Sequence, residues 1–183
     1  MTTIVDEIVD LFERYGQGRY GEGLSLGDHM LQSARWAELL GASAPVVVAA
    51  LLHDIGYFLH PGAETSLDEG RDFEHEALGA AWLSRAFGED VTAPVALHVQ
   101  AKRYLCAVKP GYFDDLSAAS KLSLSLQGGV MSDGETKAFE AGPAFETAIL
   151  LRLCDDRGKD PAMGVRTIES YRELMTECLR TPA

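Results

Sequence analysis

The sequence predicts an all-α fold, and three observations carry the prediction. Apolar residues recur at helical spacing through most of the chain. Glycine and proline fall at the ends of those periodic stretches. Alternating strand patterns closed by hairpin turns are missing, as are GxGxxG and GxxxxGK[ST] loops, internal repeats and low-complexity tracts. At 183 residues the chain suits a single domain, residues 1–183, with a sizeable core.

The first element is an amphipathic helix in which Ile4, Ile8, Val9, Leu11 and Phe12 recur at helical spacing, closed by Gly16. Five glycines from Gly16 to Gly27 then predict an irregular loop, anchored by Tyr20 and Leu24, of the kind that lies over a pocket. A second helix starts at Ser25 or Gly27, runs to Leu40, carries His29 and stops at Gly41. Ser43 as N-cap and Pro45 in the first turn open a third helix, whose apolar run ends in His53-Asp54-Ile55-Gly56. The polar stretch from Pro61 to Asp72 reads as an exposed excursion. Helical period resumes over Phe73 to Phe87, with His75 in the first turn. It returns from Thr92 or Ala93 with Pro94 through Leu105, carrying His98, Lys102 and Arg103, and Lys109-Pro110-Gly111 ends it. Residues 116 to 127 form a Ser- and Leu-rich helix stopped by Gly128-Gly129. Gly134 to Pro143 reads as a polar connection, and Glu146 to Asp155 and Val165 to Leu179 as the last helices.

Against 16 Lys and Arg stand 28 Asp and Glu, a formal charge of −12 that repels nucleic-acid phosphates and anionic membrane surfaces. Neither partner is expected. An anionic small molecule stays compatible where a few Lys and Arg gather in a pocket. Cys106, Cys154 and Cys178 are odd in number and far apart, without CxxC or finger spacing, so reduced thiols are expected. The first residues lack a basic stretch followed by an apolar segment, and the longest apolar run is too short to span a bilayer, which makes a cytoplasmic location the expectation. The oligomeric state is left open.

His53 and Asp54 close an apolar helix, and an uncompensated charge in such a place costs several kcal/mol. Adjacent helical residues lie roughly 100° apart, so the two side chains can address neighbouring positions of one cleft, where a carboxylate can bridge two divalent cations. Of the five histidines, His29, His53, His75 and His98 fall on separate predicted helices, with Asp28, Asp54 and Glu74 beside three of them. Asp155 follows the apolar run Ala148 to Leu153. His60, before Pro61, reads as a surface residue. Four imidazoles and two carboxylates from five helices make a sufficient ligand set for two metal ions with open positions. Lacking a thiolate, the set disfavours structural zinc and favours iron, manganese or another metal that prefers nitrogen and oxygen. Lys102, four residues after His98, and Arg152, three before Asp155, each share a helix face with a candidate ligand, and an anionic substrate there needs such cations.

The order His, His-Asp, His, His, Asp resembles the HD-domain superfamily, which implies an HD-domain helical bundle. That resemblance implies one metal ion held by His29, His53, Asp54 and Asp155, and a second by His75 and His98, with Asp54 bridging. Ordinary members are phosphohydrolases in which metal-activated water attacks a phosphate ester. Further stretches are similar to the oxygenase branch, the mixed-valent diiron enzymes related to myo-inositol oxygenase. They are Tyr20-Gly21-Glu22, Asp28-His29-Met30-Leu31-Gln32, His98 through Leu105, Ser120 and Gln127-Gly128-Gly129. With Leu151-Arg152-Leu153-Cys154-Asp155-Asp156 and Lys159, the pattern over residues 16 to 161 resembles the phosphonate-degrading enzymes that cleave 2-amino-1-hydroxyethylphosphonate.

Membership of that branch implies two iron ions as an Fe(II)/Fe(III) pair, O2 as co-substrate, and a 1-hydroxy-2-(amino or trimethylammonio)ethylphosphonate as substrate. The products would be phosphate and glycine or glycine betaine. It further implies Lys102, Ser120 and Arg152 on the phosphonate oxygens, Tyr20 on the second iron until substrate displaces it, and Glu22 toward the substrate's amino end. Tyr57 stands where relatives often carry a histidine, and its ring can offer an aromatic face to a cation, so a trimethylammonium group is an option beside a primary amine. A phosphohydrolase acting on a nucleotide or other phosphate ester is the alternative enzyme, and an inactive metal-binding module a third reading.

Overall fold

The computed structural model describes residues 2–21, 23–60 and 72–180, the side chains of residues 19–21 excepted. Helix α1 (Ile4–Tyr15) starts in a capping box, Thr3 and Asp6 each accepting from the other's backbone N–H, and buries Val5, Ile8, Val9 and Phe12. Where the glycines predict an irregular loop, β1 (Arg19–Gly21) pairs antiparallel with β2 (Leu24–Ser25). Strands this short leave no alternation to read. Ser25 caps α2 (Leu26–Leu39) by accepting from the Asp28 N–H. Helix α3 (Ala44–Leu52) is apolar on every side and buries each residue from Val46 to Leu52, so it forms the centre of the bundle. The short α4 (Gly56–Leu59) follows, and the expected excursion over residues 61–71 lies outside the described residues.

Helix α5 (His75–Leu83) is shorter than the periodic stretch around it. Helix α6 (Glu89–Val108) begins earlier than expected and carries Pro94 inside it. Glu89 and Asp90 in its first turn favour the helix N-terminus electrostatically, and Pro94, past the first turn, costs the helix one backbone donor. After α7 (Tyr112–Asp115) and α8 (Ala118–Leu126), the segment expected as a polar connection is helix α9 (Asp133–Glu140). Its capping box joins Ser132 and Glu135, an S-x-x-E signature legible in the sequence and outweighed there by Gly134 and the polar composition. Helix α10 (Phe145–Arg157) is followed by a 3₁₀ turn (Ile168–Tyr171) and α11 (Arg172–Glu177), so the last expected helix is shorter and enters through a tighter turn.

Helix α3 packs against α2, α6 and α10, α10 also packs along α6 and α2, and α5 lies on α6. Ile8, Leu51, Leu52, Ile55, Leu83 and Leu151 are fully buried in the main core. Each contributes roughly 1.5–3 kcal/mol, which leaves room for a polar site inside the bundle. A second apolar cluster joins Tyr104, Leu105, Tyr112, Leu116, Leu124 and Met131 around the far end of α6. Two glycines allow backbones to close around the bundle's interior. A Cβ at Gly56 would stand 2.1 Å from the His75 carbonyl oxygen, and one at Gly158 would stand 3.0 Å from that of His29. Among the described residues no helix is long and apolar enough to cross a membrane.

Candidate metal centre

Five helical segments deliver six polar side chains to the interior. His29 comes from α2, His53 and Asp54 from the end of α3, His75 from the start of α5, His98 from α6 and Asp155 from α10, and none is more than 5% exposed. The Nε2 atoms of His29 and His53 are 3.1 Å apart, and those of His75 and His98 are 3.2 Å apart. Asp54 lies between the pairs. Its Oδ2 is 3.7 Å from His29 Nε2 and 3.4 Å from His53 Nε2, and its Oδ1 is 3.2 Å from His75 Nε2 and 3.6 Å from His98 Nε2. Asp155 Oδ1 approaches His29 Nε2 at 3.4 Å.

The hydrogen bonds behind the rings decide what the front presents. His29, His53 and His98 donate from Nδ1 to the carbonyl oxygens of Gly158, Ala50 and Val95, each at 2.8 Å. A carbonyl only accepts, so these rings carry their proton on Nδ1 and, when neutral, turn an Nε2 lone pair inward. Lone pairs facing one another about 3 Å apart beside two carboxylates repel, and a cation between them removes the conflict. The donor set therefore fits divalent metal: the ligand atoms of His29, His53 and Asp54 lie within 4.8 Å of one another, as do those of Asp54, His75 and His98.

The electrostatics agree. Burial lowers the His53 pKa despite Asp54, and burial together with His75 and His53 pushes His98 down to about 3, so both rings are neutral and free to ligate. Burial opposes charge on His75 too, but the hydrogen bond and charge of Asp54 carry its pKa upward. Against the cost of burial, His53, His75 and His98 hold Asp54 well below the usual carboxylate range, and Arg152 and His29 do the same for Asp155.

A layer of cations adjoins the six. Lys102 is buried, one turn along α6 from His98, and its Nζ donates to Ser123 Oγ at 2.8 Å and Gln127 Oε1 at 2.5 Å. Burial, then Arg152, brings its pKa down to about 8. Ser120 Oγ accepts from Lys159 Nζ at 3.2 Å. Arg152 donates to Asp155 at 2.5 Å, to Asp156, and through Nε to the Tyr112 hydroxyl at 3.0 Å, while that hydroxyl donates to Asp156. Lys102, Ser120 and Arg152 thus belong to one network, linked through Ser123, Lys159 and Asp156. Beside it opens a cleft of about 420 Å³ lined in part by Lys109, Tyr112, Ser117, Asp156 and Lys159.

Tyr57 stacks on His75, ring centroids 4.5 Å apart and planes 28° apart, and meets the edge of Phe73. Burial and the charge of Asp54 raise its hydroxyl pKa well above the ordinary value, so it remains a phenol. His60 is exposed and touches Phe73. Glu22 lies outside the described residues, and Tyr20 is described by its backbone alone. The sequence reading passes over Glu76, Ser123 and Tyr112. Glu76 had a signal, since it follows His75 directly. Glu74, the acidic neighbour singled out instead, has φ 54° at the helix N-cap and is exposed.

The family model described as the HD domain matches residues 26–110. The chain is 42% identical over 178 residues to a hydroxymethylphosphonate dioxygenase of Gimesia maris, an alignment covering 96% of this chain and 88% of that one. It is 45% identical over 157 residues to the [1-hydroxy-2-(trimethylamino)ethyl]phosphonate dioxygenase (glycine-betaine-forming) of Leisingera caerulea, covering 85% of this chain and 80% of that one. With two dioxygenases matched over most of their length, and a buried array of His and Asp in place, the chain belongs to the phosphonate-degrading oxygenases of the HD-domain family.

Proposed function

We propose that the protein is a diiron oxygenase that cleaves the carbon–phosphorus bond of a 1-hydroxyphosphonate with O2. The reaction balances as R–CH(OH)–PO3²⁻ plus O2 giving R–COO⁻, HPO4²⁻ and a proton, whatever the substituent R. The observation that carries the reading is the meeting of two inward-facing histidine pairs on one carboxylate, with one oxygen of Asp54 toward each pair. His29, His53, Asp155 and Asp54 would hold one iron, and His75, His98 and Asp54 the other. An Fe(II)/Fe(III) pair would supply one-electron chemistry with O2, beyond the reach of a zinc or magnesium ion.

The chain's own side chains bind and orient. Lys102 and Ser120 hold the phosphonate oxygens, and the burial of Lys102 makes its charge count more than it would in water. Arg152 fixes Asp155 through a buried ion pair and adds its charge to the same anion-binding wall. Tyr57 backs His75 and offers an aromatic edge or face to a cationic R group. The substrate's carbon substituent is the variable, ranging from hydrogen, as in hydroxymethylphosphonate, to a trimethylammoniomethyl or aminomethyl group.

Iron-loaded protein, supplied with hydroxymethylphosphonate and with 1-hydroxy-2-trimethylammonioethylphosphonate, tests the reading. One O2 consumed per phosphate released is expected with at least one of them. Phosphate released without O2 from a phosphate ester, and no O2 uptake with either phosphonate, would make the protein a phosphohydrolase instead.

A further inference from the structure

Three of the four inward-facing histidines rest on backbone carbonyls, and His75 does not. Its Nδ1 faces Glu76 Oε2 at 3.4 Å. That oxygen is buried, the Glu76 side chain is 10% exposed, and Oε2 has no hydrogen-bond partner among the described residues. A buried carboxylate oxygen without a partner is costly and calls for a cause. The proton on His75 Nδ1 faces it and can satisfy it.

We propose that Glu76 is a positioning residue for the metal held by His75 and His98. Its carboxylate accepts a hydrogen bond from His75 Nδ1–H, which leaves Nε2 as the inward nitrogen that ligates, and makes this imidazole a stronger donor than the three that rest on neutral carbonyls. A carboxylate behind a ligating histidine raises ligand basicity, whereas a peptide carbonyl does so less. The centre is therefore asymmetric by construction, with its charged support behind the pair that has only Asp54 as carboxylate. This inference rests on the two-metal reading above.

The test is anaerobic Fe(II) titration of the metal-free wild type and of Glu76→Leu, with the melting temperature of each metal-free protein. Wild type should take up two equivalents. In Glu76→Leu, one equivalent should bind about 10–100-fold more weakly and the other as before, while the metal-free variant melts no lower than wild type, because an apolar side chain of similar size relieves the cost of burying the carboxylate that its bond to His75 only offsets. A packing residue would move both quantities together. Should the leucine variant not fold, Glu76→Gln, similar in size and uncharged, is read the same way, with a drop confined to one equivalent expected. Two unchanged equivalents, or equal weakening of both, would overturn the role of Glu76. A third wild-type equivalent lost in the variant would also overturn it, making Glu76 with Asp72 a direct ligand. A wild type that binds a single equivalent would instead sink the two-metal reading on which it depends.

Discussion

The two halves of the centre share Asp54 and are otherwise built differently. On one side His29 and His53 meet Asp155, which Arg152 grips from behind. On the other His75 and His98 have, among the described residues, no second carboxylate in front, and His75 is backed by Tyr57 on one ring face and Glu76 at Nδ1. Two carboxylates against one make the first half the stronger cation trap, and fewer protein ligands leave the second half more positions for exogenous molecules. Lys102 lies one turn along α6 from His98, so the half with fewer anions adjoins a buried cation suited to an anionic substrate. On the proposed function, charge is apportioned along the site: anions where metal would be retained, a cation where phosphonate would arrive.

The largest expected effect comes from the residue the halves share. Asp54→Ala should remove iron from both and lower turnover about a thousandfold or more, since a metal's share of charge stabilisation is several kcal/mol. Iron retained at two per chain, by colorimetric assay, would contradict the shared role. Arg152→Met attacks the first half from outside, leaving the buried Asp155 and the half-buried Asp156 beside no guanidinium. A loss of about 3–5 kcal/mol in urea unfolding of the metal-free protein is expected, and a loss under about 1 kcal/mol would show that the pair is not a structural support.

Lys102→Ala sharpens the other side of the comparison. Iron content should be unchanged while KM for the phosphonate rises about 10–100-fold, the worth of a charge-assisted hydrogen bond. The same residue sets a pH dependence. Its pKa in the folded protein, about 8, lies below the ordinary lysine value of 10.5, so the folded chain releases this proton before the unfolded chain does. The buried charge thus weighs against folding below about pH 8, and the burden lifts as pH rises toward 10.5. Catalysis runs the other way: kcat/KM should fall as pH passes through about 8, and Lys102→Ala should lack that limb. The smallest effect is expected at Tyr57. Tyr57→Ala should cost a trimethylammonium substrate roughly 2–30-fold more in kcat/KM than hydroxymethylphosphonate, in line with cation–π energies of about 0.5–2 kcal/mol. Equal losses would assign the ring to supporting His75 alone.

The halves also differ in how legible they were. His53 and Asp54 stood out because an apolar helix with a polar end poses an energetic problem that residue identity alone reveals. Helical period and the scarcity of histidine marked His29, His75, His98 and Asp155 as partners for that pair, and the resemblance to the HD-domain superfamily implied how they divide between two metals. Lys102 was readable for the same reason, lying one turn from His98. What received its charge was less so, because Ser123 meets it only through the packing of α8 on α6. Tyr112 belongs to a single helical turn after Pro110-Gly111, too short to show a period. Glu76 stayed hidden because acids flank His75 closely on both sides, and only the left-handed backbone at Glu74 decides which turns outward. In the fold, the helix order was recoverable, while the hairpin, α9 and the broken last helix were not, each being short or dominated by glycine and polar residues.

The most direct test of the central claim is anomalous diffraction at the iron edge from iron-loaded crystals. Two peaks about 3.5–4 Å apart are expected, one against His29, His53 and Asp155, the other against His75 and His98, with Asp54 touching both. A single peak, or iron bound away from Asp54, would contradict the account.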